Sequence, residues 1–119
     1  MRSLSILVID DDEDVREVLA ELLILEGHLV STAVDGPQGV SRAISQAPEI
    51  VLIDQSLPGF GGDEVARRIR ARLGHAVRLI ALSGSDEPVS HFFDASLAKP
   101  ATSAEILAAL EARPQRQSA

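Results

Sequence analysis

Five acids in a row, Asp10 to Asp14, follow the apolar run at residues 6–9, and three later apolar runs also end on residues able to do chemistry. Asp54 closes the run at 50–53, Ser83 the run at 77–82, and Lys99, followed by Pro100, the run at 95–98. If these runs are parallel strands of one sheet, Asp10, Asp11, Asp54, Ser83 and Lys99 are aimed into one crevice. Three carboxylates against one ammonium leave an excess of negative charge. Such an excess either raises a carboxyl pKa or recruits a divalent cation. Oxygen-only ligation by few protein groups suits Mg²⁺, which keeps several of its waters. With the charge balanced, the site can take a phosphoryl group. Asp54 is then the nucleophile that forms an acyl phosphate, Lys99 pairs with one phosphate oxygen, and Ser83 donates a hydrogen bond to another.

For these residues to meet, the runs before them must be neighbouring strands. Residues 4–9 are short and nearly continuously apolar, the pattern of a strand buried on both faces. Val15, Val18, Leu19, Leu22 and Leu23 then recur at helical spacing, with Asp12 or Asp14 placed to cap the helix and Gly27 to end it. Residues 29–33 read as a less apolar strand. Asp35-Gly36-Pro37 opens a helix through Val40, Ala43, Ile44 and Ala47, and Pro48 closes it. After the strand ending on Asp54, residues 57–62 form a loop rich in Gly and Pro. A helix follows with Val65, Ile69 and Leu73 inward and Arg67, Arg68, Arg70 and Arg72 mostly outward, stopped at Gly74. Beyond the fourth and fifth strands, Thr102 and Glu105 make a capping box for a last helix carrying Ile106, Leu107 and Leu110. Alternating strands and helices predict an α/β fold, a doubly wound five-stranded parallel sheet of order 2-1-3-4-5.

Composition narrows the class. The chain has 119 residues, 45% hydrophobic and 24% charged, enough for one domain with a real core. That domain is expected to span residues 1–113, with a short polar tail at 114–119. No output domain follows the last helix in this sequence; Met1 and the short tail lean towards a stand-alone protein, and a receiver excised from a larger hybrid kinase stays open as the other reading. The absence of cysteine excludes disulfides and thiolate metal sites. A net charge of −7 repels phosphate backbones, so no nucleic-acid partner is expected. No apolar run reaches membrane-spanning length, so no membrane partner is expected either, and the chain reads as soluble and cytoplasmic.

Four stretches together resemble the receiver domain of bacterial two-component response regulators: ILVIDDDEDVRE (6–17), VLIDQSLPGFGGDEVARRIR (51–70), LIALSGS (79–85) and LAKPATSAEIL (97–107). The resemblance implies a flavodoxin-like receiver fold. It implies Mg²⁺ (or Mn²⁺) held by Asp10, Asp11, Asp54 and the backbone carbonyl of Ser56, with Asp10 acting through water. It implies Asp54 as phosphoacceptor, Ser83 as the switch hydroxyl and Lys99 as the phosphate-sensing lysine. The phosphodonor would be a sensor histidine kinase or a histidine phosphotransfer protein, and a downstream protein would read the result. Such a module catalyses its own phosphorylation and dephosphorylation without turning over an external substrate.

Two departures from that family stand out. Only sixteen positions separate Ser83 from Lys99, fewer than the family usually has, and residues 84–94 lack a helical apolar pattern. The helix expected there is reduced to a single turn near 88–93, or irregular. Ser96 stands where the family places a switch aromatic. Phe92 and Phe93 are expected to plug this segment into the core, and Phe60 to lie exposed on the active-site loop. Asp12 is expected to cap a helix, with Glu13 and Asp14 at the positive end of its dipole. Ser56 and Ser85 flank the site; His28, His75 and His91 have no assigned role. Two alternatives remain open. One is a pseudo-receiver acting only through protein contacts. The other is a haloacid-dehalogenase-like phosphatase with Asp10 as nucleophile and Asp12 as acid/base, which leaves Asp54 unexplained.

Overall fold

Short runs rich in Ile, Val and Leu pair into five parallel strands: β1 (Ser5–Ile9), β2 (Leu29–Ala33), β3 (Ile50–Asp54), β4 (Arg78–Ser83) and β5 (Ala95–Ala98). The computed structural model describes residues 3–84, 88–99 and 103–111. The strand order is β2-β1-β3-β4-β5, as the alternation of elements predicts. Every residue of β3 is buried, as are the last four of β1, because helices cover both sheet faces. Edge strand β2 is only half-buried and correspondingly more polar.

The four helices divide between those faces. Leu19 and Leu23 of α1 (Glu13–Leu25) pack with Ile106 and Leu110 of α4 (Ser103–Glu111) over Ile6, Val8, Leu52 and Ile80. On the opposite face, Ala43 of α2 (Gly36–Gln46) joins Val65, Ala66 and Ile69 of α3 (Gly62–Leu73) over Leu7, Ile9, Val51 and Ile53. Local signals set the helix ends. The Asp12 carboxylate accepts from the Val15 N–H, and Asp35 accepts from Gln38, so Asp12 rather than Asp14 caps α1. Gly74 ends α3 with φ near 60°, a value that favours glycine. Thr102, Pro100, Ser85 and the tail at 114–119 lie outside the described residues.

Residues 88–94 form no helix; they run as an irregular strap into β5. Phe93 is buried and Phe92 and Val89 pack beside it, so the two aromatics do plug the segment into the core. One sequence expectation needs correction. Phe60 is half-buried, lying across the start of α2 with Arg68 over its ring at 4.4 Å. A Cβ on Gly36 would fall 2.1 Å from the Phe60 ring and 2.8 Å from its carbonyl oxygen, which explains the glycine there. Arg70, unlike the exposed Arg67, Arg68 and Arg72, turns back against the strap.

Arg67 and Arg68 both bind Glu64, at 2.5 and 2.6 Å, and hold its carboxyl down to about 2. Glu64 is solvent-screened, and such pairs contribute little. Glu64→Gln is therefore expected to leave the thermal unfolding midpoint almost unchanged.

Candidate functional site

The carboxyl ends of β1, β3, β4 and β5 deliver the chemical residues to one crevice between α1 and the β3–α3 loop. Asp10 is fully buried, and Asp54 and Ser83 are 3% and 6% exposed. Lys99 reaches in from the end of β5, its Nζ 3.1 Å from Asp54 Oδ1 and 3.4 Å from Asp10 Oδ2. The backbone joins the two outer strand ends, since the Lys99 N–H donates to the Ser83 carbonyl at 2.7 Å. Ser56 is exposed at the rim. Its N–H and its hydroxyl both donate to Asp54 Oδ1, at 3.1 and 3.0 Å.

Asp54 therefore has one oxygen heavily engaged. Oδ1 takes every hydrogen bond that Asp54 makes among the described residues, which leaves Oδ2 as the oxygen available to react or to bind a cation. Burial pushes the Asp54 carboxyl up, but the Ser56 N–H, Lys99 and the Ser56 hydroxyl outweigh it and hold the group below its usual value. Asp10 goes the other way. Burial raises it and the Asp54 charge adds to the rise, while the Asp12 N–H and Lys99 only partly compensate. Burial disfavours the Lys99 ammonium, yet its bond to Asp54 and the charge of Asp10 prevail and raise its pKa. The two neighbouring carboxylates are thus displaced in opposite directions, Asp10 by its burial and Asp54 by its donors.

A divalent cation fits this arrangement. Asp10, Asp11 and Asp54 each offer an oxygen, and these oxygens lie within 4.8 Å of one another. Asp10 Oδ2 is buried without a hydrogen-bond partner, and a buried acceptor left so costs about 1–3 kcal/mol. The Lys99 ammonium stands 3.4 Å from that oxygen without completing a hydrogen bond, so Oδ2 can accept a further positive charge. Asp11 is exposed at the mouth, and Asp12 stands outside the group because its carboxylate caps α1. Sequence reasoning passed over Arg16, whose Nη1 donates to the Asp10 carbonyl at 2.9 Å. The available signal was a cation in the first turn of α1, where the helix dipole disfavours it.

Comparison with known proteins gives the family. The family model of the response regulator receiver domain matches residues 6–111. This chain is a response regulator receiver domain. The receiver is 42% identical over 66 residues to the transcriptional regulatory protein AfsQ1 of Streptomyces coelicolor, covering 56% of this chain and 29% of that protein. It is 30% identical over 114 residues to the sensory transduction protein RegX3 of Mycobacterium tuberculosis, covering 91% and 49% respectively. The receiver thus spans about half, or less, of the length of these relatives. Among solved structures, a CheY-like receiver domain protein from Methanospirillum hungatei superimposes with a TM-score of 0.84 at 23% identity, covering 92% of this chain and 91% of that one, a likeness of fold. A LuxR-family two-component response regulator from Aurantimonas superimposes with a TM-score of 0.80 at 28% identity, covering 92% and 84%. The receiver has the flavodoxin-like fold of its family, with an irregular strap at residues 88–94 before β5, and it is a phosphoacceptor module of two-component signalling. No helix among its described residues is long and apolar enough to cross a membrane.

Proposed function

We propose that the receiver accepts a phosphoryl group on Asp54 from the phosphohistidine of a sensor histidine kinase or histidine phosphotransfer protein, and then loses it to water. One observation carries the reading. Asp54 is buried, held below its usual pKa and bound by three donors on Oδ1, so that Oδ2 is left for an incoming phosphorus. Attack by Oδ2 forms the acyl-phosphate bond as the phosphorus–nitrogen bond of the donor breaks, with its electron pair returning to the imidazole. Lys99 is placed to follow the new negative charge, releasing Asp54 Oδ1 for a phosphoryl oxygen, and Ser83 supplies a hydroxyl at the neighbouring strand end. Asp10, Asp11, Asp54 and the Ser56 carbonyl would hold Mg²⁺ (or Mn²⁺), with Asp10 acting through water. When bound, the cation supplies charge neutralisation on the phosphoryl oxygens.

The phosphatase alternative requires Asp12 free to act as acid/base, whereas its carboxylate holds the first turn of α1. Nothing favours the pseudo-receiver alternative. Incubation with Mg²⁺ and phosphoramidate, followed by borohydride reduction and peptide mapping, tests the assignment. The phosphorylated residue is converted to homoserine, and it is expected at position 54. Homoserine at position 10 would support the phosphatase instead. No conversion anywhere, with cation binding intact, would leave the pseudo-receiver.

A further inference from the structure

Lys99 owes its place to a strand that is poorly specified by its own side chains. β5 has four residues, pairs with β4 alone, and buries none of them fully. Ala95 and Leu97 pack on the face shared with α1 and α4, while Ser96 and Ala98, which alternate with them, are exposed. Such small residues oppose a register slip only weakly. A slip of one residue would carry Lys99 to the wrong face of the sheet.

Hydrogen bonds at the two ends of β5 do what packing does not. At the site end, the Lys99 N–H meets the Ser83 carbonyl. At the far end, the Asp94 N–H donates to the Leu79 carbonyl at 2.7 Å, and the Asp94 carboxylate accepts from the Leu79 N–H at 2.8 Å. The same carboxylate oxygen accepts from Arg70 Nη2 at 2.9 Å. Arg70 also binds the Phe92 carbonyl at 2.7 Å through Nη2, and the Gly74 and Val77 carbonyls at 2.8 and 2.9 Å through Nη1. With its side chain only 12% exposed, this guanidinium fastens the residue before β5 to the end of α3 and the start of β4.

We infer that Arg70, acting through Asp94, is the positioning residue that sets the register of β5 and thereby the placement of Lys99 at the opposite end of the strand. The inference rests on the reading of Lys99 as the phosphate partner. Arg70 touches none of the reacting groups; its effect on phosphorylation passes entirely through Lys99. Lysine can replace it only in part, because a single ammonium cannot span four acceptors arranged around a planar fork.

A double-mutant cycle tests this. Arg70→Ala is expected to slow phosphorylation of Asp54 by phosphoramidate about tenfold, a displacement of well under 1 Å by the usual sensitivity of positioned groups. In a Lys99→Ala background the same substitution is expected to slow it no further. Arg70→Lys and Asp94→Asn, which retain more of the packing, are expected to show smaller losses with the same non-additivity. Amide hydrogen exchange gives a readout independent of chemistry: the Lys99 N–H should lose protection in Arg70→Ala while the amides of β1 and β3 keep theirs. An equal loss of rate in the Lys99→Ala background, or an unchanged Lys99 amide, overturns the inference. Where Lys99→Ala has no measurable rate, the exchange result decides. If the unmodified receiver is not phosphorylated on Asp54, the function assigned to the site fails, and the exchange measurement still decides whether Arg70 positions Lys99.

Discussion

Asp10→Asn is expected to raise the unfolding midpoint of the metal-free receiver and to abolish its stabilisation by Mg²⁺. Asp10 is a fully buried carboxylate whose Oδ2 lacks a hydrogen-bond partner and whose neighbour Asp54 carries the same charge. Asparagine keeps the oxygen that accepts from the Asp12 N–H; it gives up the 3.4 Å ion pair with Lys99, but also the burial of a charge and the repulsion from Asp54, which together outweigh that pair. Relief of this kind at a functional site is worth roughly 1–2 kcal/mol. The gain should depend on pH in a defined direction. Folding raises the Asp10 pKa above its ordinary 3.8, so the protonated form is the one that folding favours. The burden it imposes is present above the folded pKa and disappears as pH falls below 3.8. The advantage of Asp10→Asn is therefore full only above the folded pKa, shrinks on acidification and is gone below 3.8. Asp54 has the opposite sign: its lowered pKa contributes stability at neutral pH that is lost as pH falls through the folded value. Lys99, raised above 10.5, contributes below that value and loses its contribution as pH climbs through the folded pKa. Added Mg²⁺ should reverse the ranking. A ligand at a hundred times its dissociation constant stabilises by about 2.7 kcal/mol, which only the Asp10 protein can collect. Urea unfolding in EDTA and in excess Mg²⁺ checks both halves. A variant less stable than the parent in EDTA, or equally stabilised by Mg²⁺, would sink the account of Asp10 as an ion ligand held at a cost in stability.

How far the sequence discloses all this depends on the range of the interactions. The capping aspartates, Asp12 and Asp35, and the stop at Gly74 act within a few residues, and they are visible as patterns. The site is legible for another reason. Asp10, Asp54, Ser83 and Lys99 each end an apolar run, and a parallel sheet brings strand ends together whatever the loops between them do. The missing helix before β5 is legible as an absence of period. Arg70 is not, because its partners Phe92 and Asp94 lie 22 and 24 residues away, and by spacing it belongs to an outward row of arginines. Phe60 deceives in the same way. A loop aromatic beside glycines looks exposed until the start of α2 is seen to lie beneath it. Long-range contacts made by ordinary-looking surface residues leave no local pattern to read.

Gly62 combines both kinds of information, and its substitution is expected to be among the most damaging single-methyl changes in the receiver. It lies in the Gly61-Gly62 pair that opens α3, and from sequence the two are indistinguishable. In the structure a Cβ on Gly62 would sit 2.7 Å from the Gln55 Cα and 2.8 Å from the Asp54 carbonyl oxygen. Both obstacles are backbone, so no side chain can rotate out of the way. On Gly61 the nearest atom is the Leu57 carbonyl oxygen at 3.8 Å, an ordinary contact. Gly62→Ala must therefore lever the first turn of α3 away from the end of β3, breaking the bond from the Gly62 N–H to the Gln55 carbonyl. Overpacking of this type costs about 1–3 kcal/mol or more, and roughly 1 kcal/mol of better helix propensity offsets only part of it. Gly61→Ala, which replaces glycine at an N-cap, should cost less than about 1 kcal/mol. The backbone that has to move is that of Asp54, and its carboxylate must stay 3.1 Å from Lys99 to be held in its reactive orientation. A shift of 1 Å at a reacting group costs on the order of 100-fold in rate, so Gly62→Ala should lose phosphorylation even at temperatures where it remains folded. Circular dichroism at the assay temperature separates the two effects. Equal midpoints and equal phosphorylation rates for Gly61→Ala and Gly62→Ala would show that the close approach of α3 to β3 does not hold the acceptor in place.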